Sequence, residues 1–154
     1  MLHLHNFLRW VILILLIVAL FRHLSGKNNK RPVNAGDKKI DLFLMISAHL
    51  NFVVGLYLYF TRPMGFKLFQ TVGSSVMSNS VLRFFAVEHM LGMLIAIVLI
   101  TIGRGKVKRA TDYTAHNKAF WFFLIALIII LASVPWPFRM EGIARPWFPG
   151  MTTN

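Results

Sequence analysis

Four predominantly apolar stretches, separated by hydrophilic segments, set out the plan of the chain: Phe7–Leu24, Ile40–Phe60, Val81–Ile102 and Ala119–Val134. A helix needs ~20 apolar residues to cross a hydrocarbon core of ~30 Å, and each stretch is close to that length. The pattern therefore predicts an all-α fold: an integral membrane four-helix bundle running up and down, forming one domain over residues 1–154. The segment 61–80, TRPMGFKLFQTVGSSVMSNS, is too polar to span. Its Met64, Phe66, Leu68, Phe69, Val72 and Val76, interleaved with Lys67, Gln70 and serines, predict a short interfacial helix over the mouth of the bundle. After the last stretch, Pro135, Pro137, Pro146 and Pro149 exclude a regular helix, while Trp136, Trp147 and Phe148 favour the headgroup region.

Charge orients this plan. Arg22, Lys27, Lys30, Arg31, Lys38 and Lys39 gather between the first two spans, and Arg104, Lys106, Lys108, Arg109 and Lys118 between the last two. Alternate loops thus agree, and the positive-inside rule puts both in the cytoplasm and both termini on the outer, periplasmic side. The N-terminal span is expected to be a retained anchor, because only Arg9 precedes its apolar core and no small-residue cleavage site follows.

Composition narrows the class. The chain is 56% hydrophobic and its mean hydropathy is +0.62, so a soluble fold is excluded. A net charge of +12 would suggest nucleic acid in a soluble protein; here the basic residues flank spans, and topology and anionic lipid account for them without nucleic acid. Cysteine is absent, which removes disulfides, thiolate metal sites, covalently attached haem and cysteine-bound clusters. A redox centre would have to use His, Met or carboxylate.

Three ionisable residues then stand out within the spans: His49, Glu88 and His89. Ionisable groups at membrane depth are costly and mark function. Counted from the ends at Phe60 and Val81, His49 lies ~16 Å deep and His89 ~12 Å deep, a mismatch within the reach of two side chains and ordinary helix tilt. The pair is expected to supply the two axial imidazoles of one haem b, with Met45, Phe52, Phe85, Ala86, Gly92, Met93 and Glu88 around the porphyrin. The same stripes also suit plain bundle core, and a buried histidine can serve as glue between helices. His5 and Arg9, four residues apart, are additional candidates for the site. His5 matches His89 less well in depth than His49 does. His23 with His116 would be the pair for a second haem, but charge flanks both, and His23 is expected to be solvated and His116 interfacial. For Glu88 the expected cation is Arg9, with Arg83 as the alternative at an unfavourable spacing of five.

The stretches LHLHNFLRW, MISAHL followed by GLYLYF, LRFFAVEHM with IAIVLITIGR, and LASVPWPFR cover most of the chain. On these the chain resembles the short four-span membrane proteins of Bacteroidota labelled cytochrome b. The resemblance implies a bacterial inner-membrane haem protein, and it carries no ligand assignment. The expected function is electron transfer through one haem b, exchanging electrons with a quinone or a partner complex. The alternative is a cofactor-free accessory subunit of a larger complex or homo-oligomer. No activated nucleophile stands near a base, so a hydrolase, kinase or protease is not expected.

Overall fold

A computed structural model describes residues 1–148, 150 and 151, and all regular structure among them is helical. Pro149, one of the expected helix breakers, lies outside the described residues. The first two apolar stretches form α1 (Leu2–Asn28) and α2 (Ala35–Thr61). Two short helices follow, α3 (Lys67–Val72) and α4 (Ser75–Ser78). The third span begins as α5 (Ser80–Arg83), passes through a π-helical turn at Phe84–Glu88 and continues as α6 (His89–Lys108); the fourth is α7 (Thr114–Ser133). Four helices are thus long and apolar enough to cross a membrane, and the chain is a multi-pass membrane protein.

The helices outrun the apolar stretches because their polar ends are capped locally. Asn34 accepts from the Asp37 backbone N–H, and Asp37 accepts from the Asn34 N–H, a reciprocal capping box that starts α2 three residues before its basic cluster. Asn79 does the same work for α5, accepting from the N–H groups of Val81 and Leu82. α7 ends at Ser133, since Pro135 and Pro137 cannot continue it.

α1 packs against α2 and α7, and α6 packs against the same two helices, closing a four-helix ring. Lipid offers no hydrophobic gain for joining two apolar helices, so close contact of small residues has to supply the cohesion. Ala19, Ala48, Ala96, Ala119 and Ala126 are accordingly buried in the core with Leu16, Leu44, Ile100 and Phe123. Gly103 lets α6 meet α7: a Cβ there would fall 2.6 Å from the Phe123 ring. Large apolar residues such as Phe7, Phe21, Phe43 and Val53 face outward. Leu68 of α3 and Val76 of α4 pack on Ala86, and the tail folds back so that Trp136 and Trp147 flank Trp10.

Candidate functional site

The start of α1, the end of α2, the π-turn and the end of α7 converge at one end of the bundle, and His89 is fixed there by a defect in α7. The Ser133 carbonyl would bond to the N–H of the residue four further on, but that residue is Pro137 and has none. His89 Nδ1 fills the role at 2.7 Å. A carbonyl only accepts, so Nδ1 must carry the proton and Nε2 is left with its lone pair free. Gly92, one turn along, makes the approach feasible: a Cβ there would lie 2.1 Å from Ser133 Oγ.

Facing His89 is His5 of α1, with ring centres 6.3 Å apart and planes at 76°. Its ring rests on α2 at Gly55, where a Cβ would come within 3.2 Å of His5 Cε1. The two imidazoles line a cavity of about 570 Å³ shared by Asn6 and Arg9 of α1, Asn51 and Phe52 of α2, and Phe85 and Met93 of the third span. Its walls are mainly apolar. Four buried polar atoms on it, His5 Nδ1, Asn6 Oδ1, Arg9 Nε and Asn51 Oδ1, have no hydrogen-bond partner. Left unpaired in a dry site, each such atom would cost on the order of 1–3 kcal/mol, so the cavity offers four polar groups to a polar occupant or water.

The expected residues divide sharply. His89, Phe52, Phe85 and Met93 line the cavity, as do His5 and Arg9. His49 does not: it is exposed on the outer surface of α2, with Nδ1 turned back to the Met45 carbonyl at 2.8 Å. Met45 likewise stands apart from the cavity, Gly92 makes room for Ser133 rather than for a cofactor, and Ala86 is buried under Leu68 and Val76 while its carbonyl accepts from Tyr59. Glu88 faces outward and bonds Arg83 at 2.7 Å. Arg9 instead donates to the Trp147 carbonyl at 2.8 Å and lies over the rings of Trp10 and Trp136.

His49 and His89 are therefore not brought together, whereas His5 and His89 face each other across the cavity. With a metal–imidazole bond of ~2 Å and the ring centre ~1 Å beyond, two axial imidazoles hold their centres roughly 6 Å apart. The Ser133 carbonyl supplies the hydrogen bond that fixes the His89 imidazole in one tautomer.

At the opposite, basic end a second histidine pair is buried. His23 Nδ1 and His116 Nδ1 meet at 2.8 Å, so these rings bond each other and leave no gap for a second iron. His23 is not solvated: it and His116 are wholly buried, along with Asp41, which bonds His23, and Asp37, which holds Arg22 and Arg31. Asp37 keeps the Arg31 guanidinium protonated above its ordinary range through these hydrogen bonds. Asp41 sits one residue inside the second apolar stretch and is, beside Glu88, an acidic residue of the spans. No protein-family model matches the chain, and no curated protein or solved structure matches it either.

Proposed function

We propose that the cavity between α1, α2 and the third span is a haem b site with His5 and His89 as axial ligands, and that the chain is an electron-transfer protein of the bacterial inner membrane. The observation that carries this reading is the opposed His5–His89 pair, 6.3 Å between ring centres, across an apolar cavity. Haem bound there supplies reversible one-electron chemistry at its iron. The chain's own residues do the rest. Ser133 orients His89, Gly55 seats His5, and Phe52, Phe85 and Met93 keep water from the site. Arg62 and Arg145 also line the cavity and are suited to the carboxylates of a porphyrin.

The spans run up and down with both termini periplasmic, on the strength of the two basic loops. Reporter fusions after Lys30 and Lys108 should read cytoplasmic; a periplasmic reading at either overturns this orientation. Electrons would be exchanged with a quinone or a protein partner. The exposed imidazole of His49, in the middle of α2, favours a second copy or a partner subunit at that surface, because an ionisable group facing lipid alone is costly. The test is an absorption spectrum of protein purified from haem-replete cells. A sharp b-type alpha band on reduction is expected; folded protein that stays colourless removes the haem reading and leaves the accessory-subunit one.

A further inference from the structure

At the basic end, Asp41 of α2, His23 of α1 and His116 of α7 form a chain of hydrogen bonds closed off from solvent. His23 Nε2 lies 3.1 Å from both carboxylate oxygens of Asp41. His23 Nδ1 lies 2.8 Å from His116 Nδ1. His116 Nε2 is buried and makes no well-formed hydrogen bond; the Arg31 backbone carbonyl lies near the ring, and the nearest carboxylate oxygen, Asp37 Oδ2, is 3.9 Å away. Gly26 cradles the His116 ring, since any Cβ there would fall 2.5 Å from it, and the Phe123 ring lies against His23. The groups around the chain are Arg22 from α1, Arg31 from the loop after α1, and Asp37 from α2, whose carboxylate both arginines hold. Among the described residues, α6 brings no charged side chain within bonding distance of the four.

The proton count of this chain has two consistent solutions in which both imidazoles are neutral; a third, which keeps the extra proton on His23 as an imidazolium facing ionised Asp41, has the same proton count as the second. With Asp41 ionised, the carboxylate only accepts, so His23 Nε2 carries a proton, His23 Nδ1 is bare, His116 Nδ1 donates to it, and His116 Nε2 is bare. That arrangement leaves the observed unpartnered nitrogen. With one proton more, entering at His116 Nε2, the Nδ1 proton of His116 passes to His23 Nδ1 and the Nε2 proton of His23 passes to Asp41. Both imidazoles are again neutral with inverted tautomers, Asp41 is a neutral acid, and His116 Nε2–H now points toward the ionised Asp37. Every internal hydrogen bond is satisfied in both states, and the two differ by one proton.

We propose that His116–His23–Asp41 is a one-proton relay. It takes a proton from the rim formed by Asp37 and Arg31 and delivers it to Asp41 inside the bundle. This assignment stands apart from the haem reading, for no residue of the relay lines the other cavity.

The test uses wild-type protein in lipid nanodiscs, with ¹⁵N-labelled histidine, followed by NMR from about pH 9 to about pH 5, the range in which imidazoles titrate. Ring signals are assigned by comparison with His116→Gln. One step is expected, in which His23 and His116 invert their tautomers at a common midpoint while an infrared band of a protonated carboxylic acid appears. In Asp41→Asn that band should be absent and the proton affinity of the step should fall about tenfold or more. Fixed tautomers across the range would make the cluster a structural lock and overturn the relay, and a doubly protonated His23 without the carboxylic-acid band would overturn it by leaving the proton short of Asp41. Separate midpoints for the two rings, or uptake of two protons, would overturn it as well. The 2.8 Å contact between the two Nδ1 atoms also identifies the His23 and His116 signals within the wild type, by the coupling between their rings, so a variant that fails to fold does not blunt the test.

Discussion

Arg83 and Glu88 are joined by a 2.7 Å hydrogen bond across the π-helical turn Phe84–Glu88. Five residues is a poor interval on an α-helix, where neighbours on one face are three or four apart. It is the repeat of a π-turn, whose backbone bonds run from i to i+5. The turn thus pairs Glu88 with its own helix, leaves Arg9 to the Trp147 carbonyl, and starts α6 at His89 with the imidazole directed at His5.

For Glu88→Gln the expected outcome is slight. The two side chains are 37% and 47% exposed, and an ion pair so screened contributes at most about 1 kcal/mol. A shift of no more than about 2–4 °C in the thermal midpoint follows, with the spectrum unaltered. A larger loss would mean that Glu88 bears on the site after all.

Gly103→Ala should matter far more than its single methyl group suggests. The new Cβ would sit 2.6 Å from Phe123 Cε1, and Phe123 is wholly buried with no free direction in which to retreat. Overpacking of this kind costs typically ~1–3 kcal/mol. Thermal unfolding in detergent should register it, whereas Gly105→Ala, where nothing lies within 4 Å, should be close to neutral.

Asp112 offers a pH test in the loop before α7. The Thr114 hydroxyl and then the Thr114 backbone N–H bond its carboxylate and hold its pKa below the ordinary value. A folded-state pKa lowered in this way stabilises the fold above the ordinary carboxylate range, and the contribution fades as pH falls through the depressed value. Carboxyl NMR should place the Asp112 midpoint below that of an unstructured aspartate, and Thr114→Val should move it upward. An unshifted midpoint in the wild type would show that the hydrogen bonds are not kept.

The spans were legible because length and apolarity suffice to recognise a membrane helix, and Gly92 and Gly103 follow the rule that small residues mark helix contacts. Helix rotation was not. Two stripes of α2 compete for the interior, and the one that wins carries Ala48, Asn51, Phe52, Gly55 and Tyr59. His49 stands about 200° from Asn51, at ~100° per residue, and is thereby turned outward. Small residues at 48 and 55 were the available signal, and the histidine drew attention to the wrong stripe. His5 matches His89 poorly in depth if the first span starts at Phe7; α1 begins at Leu2, so His5 lies within the helix. At the other end Asp37 lies beyond the apolar boundary, and His23 and Asp41 just inside it beside the basic loop, where polar residues read as solvated although the helices bury them against one another.

The ligand assignment makes the sharpest prediction, since two histidines of one chain compete for one role. If His5 and His89 hold haem iron, His5→Ala and His89→Ala should each abolish the b-type alpha band or convert it to the spectrum of a five-coordinate iron, while His49→Ala leaves it unchanged. Ser133 contributes only a backbone carbonyl, so Ser133→Ala should also keep the band. Gly55→Val is the complementary probe: its side chain would enter the space of the His5 ring, where even a Cβ comes within 3.2 Å, and haem content should fall without loss of either ligand. Loss of the band in His49→Ala with retention in His5→Ala would reverse the assignment, and would require α2 to turn by roughly half a rotation from the orientation that places Asn51 and Gly55 against α1.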